Sequence, residues 1–299
     1  MDNSFLKGIV VPIITPIDKQ EYVDEKKLRN QVDFVIDGGV SGVLAFGSNG
    51  EFYMSEENEQ RRVLEIILDQ TQKRVPVFMG IGAISTRKCI RIAKMAQELG
   101  ADAVSVLQPM FLKPTEEELF THFRAIAESV SDKPMLLYNN PGRTGYTMSG
   151  NLVERLAHEL PNIVGMKDSS GDMTQTMEFI RRNRDVNFKV FGGKDTLIYS
   201  CLSVGAVGSV CTTANFVPKL ICSIYNTFVA GNQAESLELQ YKLNPMRLAM
   251  DKSSFPVATK DYCNLLGMEV GDPYRPNLPA SGAGREALIQ EMRRAGYLQ

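Results

Sequence analysis

Eight short apolar runs rich in β-branched residues recur along the chain, separated by stretches whose apolar residues repeat with helical spacing. That alternation constrains the fold more than any single motif. The runs are GIVVPIIT from Gly8, GVLAFG from Gly42, PVFMGIG from Pro76, AVSVLQP from Ala103, PMLLYNNP from Pro134, IVGMKDS from Ile163, FKVFGG from Phe188 and VGSVCTT from Val207. Between them lie segments such as SEENEQRRVLEIILDQ from Ser55, STRKCIRIAKMAQELG from Ser85 and TEEELFTHFRAIAESV from Thr115. Unbroken apolar strands are what parallel strands covered by helices require. Eight right-handed crossovers can close such a sheet. The pattern therefore predicts an α/β protein, a (β/α)8 TIM barrel, in preference to a doubly wound open sheet.

Local punctuation fits. Ser55, Ser85 and Thr115 are expected N-caps, the last with Glu118 three residues on, and Gly38 and Gly100 fall where helices should stop. Residues 1–215 are expected to form the barrel core, and 216–299 the eighth barrel helix plus a C-terminal helical extension. No low-complexity run or Pro/Gly-rich linker marks a second independent domain.

Of the 299 residues 43% are hydrophobic, enough for one large barrel core or for two ordinary domains, between which length alone does not choose. Lys and Arg number 33 against 35 Asp and Glu, so no global field draws the protein to nucleic acid or an anionic membrane, and a small soluble molecule is the expected partner. The five cysteines (Cys89, Cys201, Cys211, Cys222, Cys263) are odd in number and widely spaced, which fits buried thiols in a reducing cytoplasm better than a disulfide framework or a zinc site. No segment approaches the roughly 20 apolar residues of a membrane span. A cytoplasmic location is expected.

In a barrel of this kind the chemistry lies where strands end. The second strand ends in Gly47-Ser48-Asn49-Gly50-Glu51, whose N–H groups and Ser48 hydroxyl suit a carboxylate or phosphate. The fifth ends in Tyr138-Asn139-Asn140-Pro141-Gly142-Arg143, placing a phenol for proton transfer and a guanidinium for a carboxylate at one rim. In the sixth, Ile163, Gly165 and Lys167 share a face by alternation. If that face points inward, burial should lower the Lys167 pKa and leave a free amine able to attack a carbonyl. From the seventh and eighth strands Gly193, Lys194 and Asp195 could meet a polar substrate and Val210 line an apolar pocket, with helix capping an equal explanation for Asp195. The only histidines, His122 and His158, fall in amphipathic helices, and no GxxxxGK[ST] loop is present, so a His-based metal site, a Ser-His-Asp triad and a phosphate loop are all disfavoured.

Taken in order, these strand ends resemble the dihydrodipicolinate synthase / N-acetylneuraminate lyase family of Schiff-base-forming barrels, over nearly the whole chain. Gly47–Glu51 looks like the family's GxxGE carboxylate-binding turn, Tyr138 like its proton-transferring tyrosine and Lys167 like its Schiff-base lysine. The resemblance implies no cofactor or metal, and a homotetramer built as a dimer of dimers. Arg143 looks like the arginine that synthases use to hold aspartate semialdehyde. Other positions differ: Ser48 and Asn49 stand where synthases usually carry two threonines, and Phe111, after Pro109-Met110, stands where they carry a tyrosine that completes a proton relay across the dimer. The Lys167–Asp172 stretch is more similar to members acting on 2-keto-3-deoxy sugar acids.

The expectation is therefore a class I aldolase that cleaves a pyruvate-yielding 2-oxo acid such as a 2-keto-3-deoxy sugar acid, with Lys167 and Tyr138 catalytic and Ser48, Asn49, Arg143, Gly193, Lys194, Asp195 and Val210 binding substrate. The alternative is a dihydrodipicolinate synthase condensing pyruvate with aspartate semialdehyde. A catalytically silent 2-oxo-acid-binding barrel is the reading from another class.

Overall fold

The computed structural model describes residues 2–299. Its elements follow the predicted rhythm: β1 (Gly8–Pro12), α1 (Glu25–Asp37), β2 (Gly42–Ala45), α2 (Glu57–Thr71), β3 (Val77–Ile81), α3 (Thr86–Leu99), β4 (Ala103–Leu107) and α4 (Glu116–Ser129). The second half adds β5 (Met135–Asn139), the short α5 (Pro141–Thr144), α6 (Gly150–Glu159), β6 (Ile163–Asp168), α7 (Met173–Arg182), β7 (Lys189–Gly192), α8 (Ile198–Ser203) and β8 (Gly208–Val210). Each strand pairs in parallel with its successor and β8 returns to β1, so the sheet is a closed barrel. After it come α9 (Pro218–Val229), α10 (Gln233–Ala249), α11 (Val257–Leu265) and α12 (Gly282–Arg294). α9 packs on α8 and β1, and α10 in turn packs on α9 and α12. No helix among the described residues is long and apolar enough to cross a membrane.

Closure divides the apolar side chains into two cores. A small one, with Val10, Leu44, Phe78, Leu136, Val164, Phe191 and Val210, fills the barrel, while the larger lies between strands and helices. Every strand is thus covered on both faces, which is why the runs read as continuously apolar. The Ser85 hydroxyl caps α3 and Thr115 forms a full capping box with Glu118 at α4. Gly100 closes α3 at φ +90°, a left-handed conformation costly for residues with a Cβ.

Two local expectations change. Helix α2 starts after Glu56 without a side-chain cap: the Ser55 hydroxyl is buried away from the helix, its carbonyl is taken by the Gln60 amide, and Glu57 and Glu59 face the helix dipole instead. Along β6 strict alternation fails. Met135 pairs with Ile163 but Leu136 with Gly165, so Val164 is an extra residue, a β-bulge. Ile163 therefore joins the outer core and Val164 the inner one, so Ile163 does not share a face with Lys167.

Candidate active site

The bulge determines where the decisive lysine points. Past it the alternation resumes with Met166 in the outer core, and Lys167 lines the barrel interior with Val10, Leu44, Phe78, Ser105, Leu136, Phe191 and Val210. Lys167 is 5% exposed. Beneath it remains a cavity of about 10 Å³, room for about one water at most, so the lysine stands on a filled floor and can extend only toward the mouth. Val210 is part of that apolar floor.

In the register of β5 and β6, Tyr138 lies directly beside Lys167. The Lys167 Nζ sits 4.3 Å from the centre of the Tyr138 ring, within cation–π range. Asn140 Nδ2 donates to the Tyr138 Oη at 2.8 Å. Burial by itself would raise the phenol's pKa, but the Lys167 charge and hydrogen bonds with Ser48, Ser169 and Asn140 together outweigh it and hold the pKa below the ordinary tyrosine value. Lysine and phenol thus stand side by side, both largely buried.

The loops around this pair are fixed by buried carboxylates and amides. Asp168 accepts from Asn139 Nδ2 at 2.9 Å, from the N–H of Ser170 at 3.1 Å and from the Thr176 hydroxyl at 2.6 Å, tying the end of β6 to β5 and α7. Asn139 Oδ1 in turn accepts the Met148 N–H at 3.0 Å, which holds the segment carrying Arg143 in place. Arg143 is exposed and its guanidinium lies 4.3 Å over the Phe255 ring. Stacking uses the guanidinium's face and leaves its in-plane N–H groups free for a carboxylate.

At the end of β2 residues Ser48–Gly50 form a single 3-10 turn, buried throughout. Ser48 and Asn49 open that turn, so their N–H groups find no carbonyl within it. The Asn49 side chain, however, is not available to a substrate: its Nδ2 donates to Thr212 Oγ1 at 2.9 Å and its Oδ1 accepts from Thr259 Oγ1 at 3.0 Å. Glu51, the last residue of the motif, is fully buried. It pairs with Lys260 at 2.9 Å and accepts the Tyr274 N–H at 3.0 Å. The turn is thus held from behind by the C-terminal extension.

Two other sequence expectations are corrected. Asp195 is 2% exposed and its carboxylate accepts from the Thr212 N–H, the Thr213 N–H and the Thr213 hydroxyl at 3.2, 2.7 and 2.6 Å, so it fastens β7 to the end of β8 and does not face the distal substrate. It caps the turn after β8, not a helix of its own. Gly193 gives its N–H to Asp168 at 2.7 Å and its carbonyl to the Ser169 hydroxyl at 3.2 Å; a Cβ there would come within 2.0 Å of that hydroxyl. Its smallness serves strand contact, not substrate approach. Lys194 is half-buried against Gly171; its carbonyl accepts the Leu197 N–H at 2.9 Å, and its side chain makes no ion pair or hydrogen bond among the described residues. Sequence reasoning missed Asn140 and Ser169 as neighbours of the phenol, although Ser169 follows Lys167 at strand spacing. Among the described residues no group of three or more His, Cys, Asp or Glu is placed to hold a metal ion.

A desolvated lysine at a barrel mouth, paired with a phenol and facing carboxylate donors, defines the class I aldolase kind of lyase, in which an amine forms an imine with a substrate carbonyl. Comparison with known proteins agrees. Residues 5–295 match the model of the dihydrodipicolinate synthetase family, and the chain belongs to that family. It is 38% identical to the 4-hydroxy-tetrahydrodipicolinate synthase of Geotalea daltonii, across 96% of this chain and 98% of that one. It is 35% identical to the enzyme of the same name from Methanopyrus kandleri, across 98% and 97%. The crystal structure of the chloride-inhibited dihydrodipicolinate synthase from Acinetobacter baumannii complexed with pyruvate superposes with a TM-score of 0.94 at 33% identity, covering 98% of this chain and 100% of that one. The protein is an enzyme, a carbon–carbon lyase of the Schiff-base type.

Proposed function

We propose that the protein condenses pyruvate with aspartate semialdehyde, the reaction of a 4-hydroxy-tetrahydrodipicolinate synthase. The observation that carries the shared chemistry is the Lys167 amine over the Tyr138 ring; the curated relatives bearing that synthase name at 34–38% identity favour this second substrate over a sugar acid. Ser48 Oγ and the N–H groups of Ser48 and Asn49 hold the pyruvate carboxylate. Lys167 Nζ attacks C2 and water leaves, giving an imine. A C3 proton then passes to the Tyr138 phenolate, and the resulting enamine carbon attacks the aldehyde. Arg143 holds the second substrate's carboxylate at the rim, with Lys194 near by.

Position 111 carries no hydroxyl, and in the single chain the Phe111 ring is 93% exposed, outside this chain's own phenol pocket, where Asn140 donates to the Tyr138 oxygen at 2.8 Å. The second reading, cleavage of a 2-keto-3-deoxy sugar acid, is favoured by that missing hydroxyl and by the Ser48-Asn49 pair. A coupled assay with pyruvate and aspartate semialdehyde separates the two: kcat/KM of roughly 10⁴ M⁻¹s⁻¹ or more is expected. Negligible condensation, with rapid pyruvate release from 2-keto-3-deoxy sugar acids, would establish the second reading instead.

Exposed Phe111 and Leu112 adjoin Met110, which shares a cleft with Tyr53 and Ile84, and this apolar surface supports a homotetramer assembled as a dimer of dimers. The five buried free thiols fit a cytoplasmic location.

Tyr138→Phe tests the phenol's role. Imine trapping with pyruvate and borohydride should persist, while turnover falls by ~10² to 10⁴ for lost acid–base help. Unchanged turnover would reduce Tyr138 to a packing residue.

A further inference from the structure

The Tyr138 oxygen has one hydrogen bond of defined geometry, and its donor is held in place. Asn140 Nδ2 can only donate, and does so at 2.8 Å. The Ser169 hydroxyl already donates to the Gly193 carbonyl at 3.2 Å, which leaves its oxygen to accept. The Ser48 and Ser169 hydroxyls are the other polar neighbours that favour the ionised phenol. A phenol that accepts from Asn140 has its own proton left to direct toward them, and Ser169, whose proton is already given to the Gly193 carbonyl, can receive it. When the phenol ionises, the Asn140 hydrogen bond becomes charge-assisted and stronger.

The placement of Asn140 is built. Its carbonyl accepts the N–H groups of Arg143 and Thr144, at 2.9 and 3.1 Å, and the Thr144 hydroxyl at 3.1 Å. Thr144 also receives a hydrogen bond at 2.8 Å from the buried Gln108 amide. The backbone at Asn140 is thus clamped by α5 while its side chain turns back over the strand it has just left. The same clamp ties the phenol's donor to the turn that presents Arg143.

We propose that Asn140 is a positioning residue for proton transfer: its side-chain amide orients the Tyr138 phenol toward the serines and favours the phenolate. This rests on Tyr138 being the proton-transferring group proposed above. The reaction step concerned is the removal of a C3 proton from the pyruvate imine, in which the C3–H electron pair becomes the enamine double bond and the proton goes to the phenolate oxygen.

The experiment uses the full-length protein with pyruvate as the only substrate and follows exchange of the C3 protons with deuterium by NMR across pD. In the wild type the rate should rise as Tyr138 ionises. Asn140→Leu removes the donor and Asn140→Asp, of the same shape, replaces it with an acceptor. Each should move that rising limb upward by about one to two pH units, with borohydride trapping at Lys167 retained. In a Tyr138→Phe background the limb should vanish and neither Asn140 substitution should shift anything further. Should Asn140→Leu misfold, the isosteric Asn140→Asp still gives the measurement. A limb that stays in place in the folded Asn140 variants, while Tyr138→Phe abolishes it, overturns the role of Asn140 alone. A limb that survives Tyr138→Phe overturns the reading of Tyr138 on which the proposal stands.

Discussion

Borohydride added to the protein with pyruvate should leave a reduced pyruvyl group on Lys167, identified by peptide mass spectrometry, and Lys167→Ala should lose both the adduct and turnover. Removal of a covalent nucleophile ordinarily costs on the order of 10⁴ to 10⁶ in rate. The structure makes the prediction selective. Lys167 and Lys260 are the lysines recorded as buried among the described residues, but Lys260 is held against the Glu51 carboxylate and donates to the Asp272 carbonyl at 3.0 Å, so its nitrogen cannot serve as a free nucleophile. Lys167 has the Tyr138 ring beside it and an apolar floor below. An adduct on Lys260 or a surface lysine, or full activity in Lys167→Ala, would remove the Schiff-base mechanism.

The largest expected effect on stability comes from that second lysine. Lys260 and Glu51 are 1% and 0% exposed, and their pair joins the substrate-binding turn to α11 and the segment after it. Burial pushes the Lys260 ammonium below its usual pKa, and the neighbouring carboxylate offsets part of that push. Lys260→Ala would leave the Glu51 carboxyl group buried without its partner, and breaking a buried pair in this way typically costs about 3–5 kcal/mol. For a chain of this length that corresponds to a fall in Tm of roughly 5–8 °C. Replacing both partners, as Glu51→Gln with Lys260→Met, should recover much of the loss, because burying an ion pair gains little over burying neutral groups of similar shape. The KM for pyruvate should rise in the single variant as the Ser48–Gly50 turn loosens. A Tm within a degree of the wild type would show that the pair does not brace the turn.

The contrast between these two lysines shows how far sequence reasoning reached. Lys167 was legible because it closes an apolar run beside a second run closed by Tyr138, and neighbouring parallel strands bring such ends together. Lys260 lies in a helix with no periodic signal of charge burial, and the contact that explains its neighbour Thr259 spans 210 positions. Gly193 and Asp195 lie at the mouth and read from sequence as substrate contacts, while at Asn49 it is the side chain alone that other loops engage. A short polar side chain at a strand end reads the same whether it faces a ligand or another loop. Only the partners Thr212, Thr259, Ser169 and Thr213 reveal that these residues hold the rim together.

Local patterning by itself determined the eight-strand parallel barrel, the helix ends at Gly38, Ser85, Gly100 and Thr115, and the pairing of a lysine with a tyrosine at the mouth. These follow from short-range periodicity and from the rule that consecutive strands are neighbours. Tertiary structure alone decided the inward aim of Lys167, since the bulge at Val164 shifts the alternation by one residue and such a slip exchanges the two faces of a strand. It also decided which polar side chains remain free for chemistry. Every buried polar group must find a partner, and that accounting closes only when segments distant in sequence have come into contact.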